Sequence, residues 1–243
     1  VHNGVGDGPV VSRTMEEVLR AADPLRAGWV AALVLALVAM LGWINLVSPK
    51  KWRLLGDAFR SLRLGRQTMR DDVDLQDRTL VVLLVMATAS LGLFAHQFSV
   101  LLLGAAADAG HWAKCFGLVA GVLVALFLVN RATALLARAD AGLTEHLYNT
   151  LLLLIVLGVA LLPLLAVVAW PHQPAWRMPA LWIALGLAAL LMVWRWVRAA
   201  AIGLAEGVPL RYIFIYLCAL EILPVVILGQ RLIRSVALAS PTP

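Results

Sequence analysis

The chain has 243 residues, of which 62% are hydrophobic and only 14% are charged. An ordinary soluble domain is about half apolar and about a quarter charged. The composition therefore excludes an ordinary soluble domain and indicates an integral membrane protein. The net charge of +6 does not indicate nucleic-acid binding, because no basic patch with interleaved aromatic residues stands apart from the apolar runs. Basic residues that flank membrane spans explain the charge instead.

Six apolar runs approach the roughly 20 residues that a helix needs to cross a bilayer. They lie at about 28–47, 79–98, 112–130, 148–169, 180–197 and 212–229. The pattern predicts an all-α fold, a polytopic membrane helix bundle of about six transmembrane helices. The sequence allows two alternatives for the structure of the residues between the second and third runs. Either the second helix runs on through the apolar residues 100–107, or residues 99–111 include a short re-entrant segment.

We expect three parts along the chain: an extramembrane segment 1–26, one transmembrane domain 27–235 and a tail 236–243. In the first part, Thr14 and Glu17 have the spacing of a capping box, which predicts a short helix. The first apolar run is longer than the core of a signal peptide, and no small-residue cleavage site follows it. We therefore expect a helix that is retained in the membrane.

The lysines and arginines are distributed unevenly between the two predicted sides of the membrane. Thirteen lie on the side that holds residues 48–78, and seven lie on the other. The richer side is expected to be cytoplasmic. With six spans, both termini are then outside the cell, although Arg231 and Arg234 oppose this orientation.

The basic cytoplasmic loop 48–78 contains a second predicted helix outside the bilayer. Trp52, Leu55 and Phe59 recur at helical spacing and form an apolar stripe. A basic helix with such a stripe is typical of the membrane interface, where it packs on anionic lipid head groups. The alternative is a docking helix for a cytoplasmic protein partner. The residues predicted to contact lipid or partner are Lys50, Lys51, Arg53, Arg60, Arg63, Arg66 and Arg70.

A carboxylate stands in the last apolar run. Glu221 lies near the predicted bilayer midplane, where a charged side chain is costly and normally has a partner or a task. Pro224, one turn later, removes a backbone donor and frees the carbonyl of Leu220. The predicted intramembrane polar site consists of Glu221, Cys218, Tyr216, Pro224, Thr88 and Ser90. The sequence allows two roles for Glu221. In the first, a protonated, hydrogen-bonded Glu221 holds helices or subunits together. In the second, Glu221 carries protons or ions.

Small residues recur at helix-packing spacing near the same depth. Gly117 and Gly121 form a GxxxG motif, and Thr88 and Gly92 form a second small-xxx-small pair. Such pairs let helices approach closely in membranes. Gly158 of the fourth span is predicted at a similar depth. These faces favour helix association over chemistry.

Histidines form the other polar group. His96 and Gln97 end the second span, and Asp108 and His111 follow in the next loop. Together they allow a metal site or a proton-entry site, because histidine serves both. However, the two histidines are far apart in sequence and no carboxylate stands at ligand spacing on a helix. We therefore expect interfacial histidines, with no metal and no cofactor.

Catalytic motifs are missing from the sequence. It has no serine-hydrolase elbow, Walker loop, HExxH, CxxCH or GxGxxG. An intramembrane enzyme usually shows several polar residues at one depth, whereas here Glu221 stands nearly alone. We therefore expect a protein that is not an enzyme.

The segment 211–224, RYIFIYLCALEILP, resembles the signature of a bacterial membrane family, domain of unknown function 4271, which is found mainly in Bacteroidota. The resemblance extends over most of residues 25–235 and includes the arginine-rich loop and Leu162-Pro163. It implies that Tyr216, Cys218, Glu221 and Pro224 mark the family. It also implies the inner (cytoplasmic) membrane of a Gram-negative cell, and it implies no activity.

The expected function is that of a non-enzymatic integral inner-membrane protein, a subunit or assembly partner of a membrane complex. The alternative is a small proton- or ion-coupled transporter component that uses Glu221. The expected partners are the lipid bilayer, anionic lipids at the cytoplasmic face, and a protein partner or a second copy of the chain in the membrane.

Overall fold

In a computed structural model of the chain, the secondary structure of the described residues is entirely helical. The structure describes residues 23–47, 78–137, 143–205, 207, 209–216, 218, 226 and 230. Its helices are α1 (Gly28–Val47), α2 (Arg78–Leu103), α3 (Ala109–Ala137), α4 (Leu143–Ala169), α5 (Arg177–Ala205) and α6 (Leu210–Tyr216). Short 3-10 turns at Pro24–Arg26 and Pro174–Trp176 precede α1 and α5.

Five of these helices, α1 to α5, are long and apolar enough to cross a membrane. This confirms the predicted all-α membrane helix bundle and makes the chain a multi-pass membrane protein. Four predicted features lie outside the described residues: the helix near Thr14, the interfacial helix of the loop 48–78, most of the sixth span and the tail 236–243.

The connection between the second and third spans resolves one pair of alternatives. α2 continues to Leu103, and α3 begins at Ala109, so the second helix runs on and residues 99–103 belong to it. Gly104 has φ +68°, a left-handed conformation that ends helices and suits glycine. The N–H of Ala105 then donates to the carbonyl of Ser99 at 3.1 Å. A short connection, rather than a re-entrant segment, therefore joins the two helices.

The bundle is built around α2 and α4, which run parallel. α5 packs antiparallel to α4, α3 packs against α2, and α1 contacts both α2 and α4. Two hydrophobic clusters fill the interior at different depths. One contains Leu37, Ile44, Leu83, Met86 and Ile155. The other contains Val30, Leu93, Leu161, Leu165 and Ala184.

We name the two faces of the bundle after Asp108 and Leu210, one residue at each face. The Asp108 face holds Asp23, the connection from α2 to α3 and the turn before α5. The Leu210 face holds the opposite helix ends. At the Asp108 face, Asp23 forms an ion pair with Arg177, whose Nε also donates to the carbonyl of Val168 at 3.0 Å. This contact ties the start of α1 to the connection between α4 and α5.

Glycines allow two close helix contacts in the centre of the bundle. A Cβ atom on Gly158 of α4 would lie 2.5 Å from the Cα of Ala87 on α2, and one on Gly92 of α2 would lie 2.9 Å from the Cα of Phe116 on α3. No real Cβ is tolerated at such distances, so these backbones meet because the glycines have no side chain. The motif containing Gly92 therefore packs α2 on α3, and Gly158 packs α4 on α2.

Gly117 and Gly121 of α3 behave differently. A Cβ atom on either one would meet nothing within 4 Å in the described part of the chain, and both positions are exposed. We call this pair the open glycine face. The GxxxG motif that was predicted from the sequence is therefore present on a helix but is not used between the described helices.

Candidate functional site

Buried polar side chains form a cluster near the Asp108 face, between α2 and α3. We call it the histidine site, and it consists of His96, Ser99, His111 and Cys115. His96 and Ser99 are three residues apart on α2, and His111 and Cys115 are four residues apart on α3. Each spacing places its two side chains on one side of its helix. Because the short connection at Gly104 makes the helices antiparallel neighbours, the two pairs face each other.

Ser99 and His111 are joined by a short hydrogen bond. The Ser99 hydroxyl donates to the carbonyl of His96 at 2.8 Å and lies 2.7 Å from Nε2 of His111. A hydroxyl has a single proton, so Ser99 must accept from Nε2–H of His111. The free acceptor of the neutral His111 ring is then Nδ1. Cys115 Sγ also lies 3.7 Å from Nε2.

Asp108 caps α3 beside this site. Its carboxylate accepts a hydrogen bond from the backbone N–H of His111 at 2.6 Å, the bond expected between an N-cap aspartate and the third helical residue. The carboxylate therefore bonds to the helix backbone, and the described contacts include no bond from it to the His111 ring. The contacts therefore do not form the chain of hydrogen bonds from carboxylate to imidazole to hydroxyl that defines a Ser-His-Asp triad.

His96 is the most enclosed member of the histidine site. Its side chain is fully buried, and neither ring nitrogen has a hydrogen-bond partner among the described residues. The edge of Trp29 on α1 packs against the ring at a centroid distance of 5.3 Å, and the His111 ring lies at 5.4 Å. Burying a polar group without a partner is unfavourable, so a water molecule or a polar group beyond the described residues would stabilise this ring.

The two histidines were predicted to be interfacial residues without a metal site, and their proximity was not predicted. Their separation of 15 residues in the sequence gave no indication of this proximity, because the turn at Gly104 was not recognised. Two spacings in the sequence could have predicted this proximity. They are the three residues from His96 to Ser99 and the four residues from His111 to Cys115, on either side of Gly104. No group of three or more His, Cys, Asp or Glu side chains in the described part of the chain is arranged to hold a metal ion.

A second buried polar cluster lies toward the Leu210 face. It contains Arg195 and Arg198 of α5 and Asn149 and Thr150 of α4, all of which are buried. Asn149 lies 20 residues before the end of α4, and Arg198 lies 21 residues after the start of α5, so the antiparallel hairpin places them at similar depth. Both arginines have interactions within the chain. Arg195 lies inside the predicted span 180–197 and Arg198 just beyond it, and a buried polar cluster at this depth was not predicted.

The predicted polar site around Glu221 is described only in part. Thr88 and Ser90 are buried on α2, and their hydroxyls donate to the carbonyls of Leu84 (2.7 Å) and Met86 (3.0 Å) of the same helix. They are therefore engaged as donors and retain only acceptor capacity. Tyr216 ends α6, and Cys218 carries a half-buried free thiol. Glu221 and Pro224 lie outside the described residues, so their association with Thr88 and Ser90 stays a prediction.

The predicted basic docking residues also lie outside the described part of the chain. They are Lys50, Lys51, Arg53, Arg60, Arg63, Arg66 and Arg70. Their role in contacting lipid or a partner stays a prediction.

Comparison with known proteins identifies a family. A family model described as "Domain of unknown function (DUF4271)" matches residues 30–232. None of the curated proteins and none of the solved structures matches the chain. The family match begins within α1, spans α2 to α5 and includes the motif that contains Glu221.

Proposed function

Because this chain belongs to the DUF4271 family, whose description assigns no function, we propose its role from its own structure: a non-enzymatic integral membrane protein that acts as a subunit or assembly partner of a membrane complex. One observation carries the proposal, namely the open glycine face of α3. The bacterial inner membrane is the compartment that we propose for it.

α3 is the least enclosed of the five membrane helices. Only 6% of its most apolar stretch is buried, against 56% for α2. Within the described chain it packs mainly on α2, through the contact at Gly92. Most of its circumference, including exposed Val124 and Leu128, is therefore available to lipid or to another protein.

The glycines favour a protein over lipid on this surface. Lipid chains are as apolar as leucine, so helix association in membranes depends on close packing, which small residues permit. Glycine is otherwise unfavourable in a helix by about 1 kcal/mol relative to alanine. Gly92 and Gly158 each accept the backbone of a neighbouring helix. By the same physical argument, the open glycine face is suited to a helix of another chain.

The basic segment within 48–78 supplies a second proposed contact. Its arginines and lysines would bind anionic lipid head groups, or an acidic partner, at the cytoplasmic face. This contact would orient the chain at the membrane surface, whereas the open glycine face would select its neighbour within the bilayer.

The test replaces both glycines of the open face by leucine. Since a side chain there meets nothing in the described chain, the G117L/G121L variant is expected to fold and insert normally. Native membranes are solubilised in mild detergent, and the tagged chain is recovered with its partners. The proposal predicts loss of the co-purified partner, or of the homo-oligomer. G186L is the matched control, because Gly186 of α5 is also exposed and open.

Recovery of the wild-type chain as a lone monomer contradicts the proposal. So does a G117L/G121L variant that recovers its partners as fully as G186L does. Both results leave the membrane fold untouched, because neither glycine supports a contact between the described helices.

A second candidate function is a proton- or ion-coupled transporter component that uses Glu221. The observation that favours it is the fully buried His96, whose ring nitrogens have no partner in the described part of the chain. Polar side chains at membrane depth often mark ion or proton pathways. We rank this candidate second because Glu221 is not among the described residues.

A further inference from the structure

Two buried side chains between α2 and α3 each have a polar atom without a hydrogen-bond partner among the described residues. His96 of α2 is fully buried, and neither of its ring nitrogens has such a partner. Trp112 of α3 is half-buried, and its Nε1 is enclosed and has no partner there either. Nearly all buried polar atoms in proteins are hydrogen-bonded to the protein or to ordered water. We therefore expect both side chains to bind a group that the described residues do not supply.

The two side chains lie at the same level of the contact between α2 and α3. A Cβ atom on Gly92 of α2 would lie 2.9 Å from the Cα of Phe116 on α3, so these two residues face each other. Because the helices are antiparallel, a step of four residues toward their connection leads from Gly92 to His96 and from Phe116 to Trp112. Residues four apart lie on the same side of a helix. His96 and Trp112 therefore face each other across the same contact.

Aromatic and apolar side chains enclose the polar atoms of both residues. The ring centroid of Trp29 on α1 lies 5.3 Å from that of His96 and 6.2 Å from that of Trp112. Phe116 stacks on Trp112 at a centroid distance of 5.6 Å. Trp29 and Trp112 also pack against the cluster that contains Leu93. A lipid head group or a side chain of another protein does not reach these enclosed atoms, so the bound group must be small.

The hydrogen-bonding capacities of the two side chains are complementary. The indole Nε1–H of Trp112 can only donate, whereas one nitrogen of a neutral His96 ring can only accept. The two atoms do not bond directly to each other. A water molecule both accepts and donates, so it joins a donor to an acceptor that are too far apart for a direct bond. Buried waters characteristically bind where two or more enclosed polar atoms are otherwise unpaired.

We propose that one water molecule is bound between α2 and α3, where it accepts from Nε1–H of Trp112 and donates to the unprotonated ring nitrogen of His96. The site uses the neutral imidazole, which is the form that burial favours. The water links the two helices beside the histidine site, and Trp29 covers it. The site goes beyond the role of a complex subunit and does not depend on any partner.

The test detects the water at the indole N–H of Trp112. The full-length protein is labelled with 15N at its nine tryptophans and five histidines and placed in lipid nanodiscs, and W112F identifies the indole signal of Trp112. NMR then measures magnetisation transfer from water to that N–H. The proposal predicts a transfer peak that is lost in H96L, because leucine offers the water no acceptor. H172L is the control and is expected to keep the peak, since His172 is exposed in the connection before α5.

A second measurement covers the case in which H96L does not fold. In the wild-type protein, transfer from water is also followed to the histidine rings, and the signal of His96 is assigned through its contact with Trp29. Water peaks are expected at both His96 and Trp112. The absence of either peak overturns the proposal. A Trp112 peak in H96L as strong as in the wild type also overturns it, as does a hydrogen bond from the Trp112 indole to a group of the polypeptide.

Discussion

Gly158 of α4 lies against Ala87 of α2 so closely that the Cα of Ala87 occupies the space where a side chain on residue 158 would begin, 2.5 Å from the ideal Cβ position. The atom in the way belongs to backbone and cannot rotate aside. Because α2 and α4 form the centre of the bundle, this contact sets the distance between the helices around which the others pack.

G158A is therefore expected to destabilise the bundle. The added methyl group must push α2 and α4 apart, and overpacking of this kind costs about 1–3 kcal/mol. Thermal unfolding in detergent measures the effect as a lower midpoint. G186A is the matched control, because a Cβ atom on Gly186 meets nothing within 4 Å. Equal midpoints for the two variants contradict the contact.

Five of the six predicted spans correspond to described helices, because hydropathy reports directly on burial in lipid. The first span was predicted at 28–47, and α1 is Gly28–Val47. The ends of the others were predicted less well: α5 was placed at 180–197, but it is Arg177–Ala205. A helix continues as long as its backbone hydrogen bonds do, whereas the hydropathy signal ends where polar residues enter. The predicted span ends just before Arg198, although Arg198 continues the helix.

The ion pair of Asp23 with Arg177 gives a second prediction. Asp23 is also 3.7 Å from Nε of Arg26 and accepts from the N–H of Leu25 at 3.2 Å. D23N removes the charge while it keeps the shape, and it is expected to lower stability by about 1.5–3 kcal/mol, as for other hydrogen bonds to charged groups. R177K is expected to be destabilising too, because lysine cannot serve both Asp23 and the carbonyl of Val168 in one planar geometry.

A double-mutant cycle of D23N with R177Q isolates the interaction between the two residues. The losses are expected to be less than additive, because either variant alone already breaks the ion pair. K114Q is the control, since Lys114 is exposed on α3. Fully additive losses would show that the two residues act independently of each other.

The histidine site was only half predictable from the sequence. Its two histidines were recognised as a group at one end of the second span, because their depth follows from counting along the helix. The contact between the two histidines was not predicted, because side-chain packing determines which faces of two helices meet. Ser99 and Cys115 were not predicted as members of this site, since a serine and a cysteine in apolar runs are common. The structure adds them through their distances to Nε2 of His111.

Arg198 gives a prediction for the Leu210 face. Its side chain is only 1% exposed, and it interacts within the chain. An interaction that involves a charged side chain typically contributes about 1.5–3 kcal/mol. R198Q is therefore expected to unfold at a markedly lower temperature and to reach the membrane in smaller amounts. R131Q serves as the control, because Arg131 is exposed on α3. A stability of R198Q equal to that of R131Q contradicts a structural role.

Glu221 separates the two candidate functions. It lies outside the described residues, so this prediction rests on its position in the last apolar run. If Glu221 holds helices or subunits together as a hydrogen-bonded acid, E221Q keeps the hydrogen bonds, and the complex is recovered from native membranes as fully as with the wild-type chain. E221L removes the hydrogen bonds and is expected to reduce recovery of the partner.

If Glu221 is instead a proton carrier, E221Q still assembles but cannot ionise, so any proton-linked activity of the complex disappears. Normal assembly together with loss of that activity would reject the structural role of Glu221 and favour transport, whereas normal assembly and normal activity would reject transport.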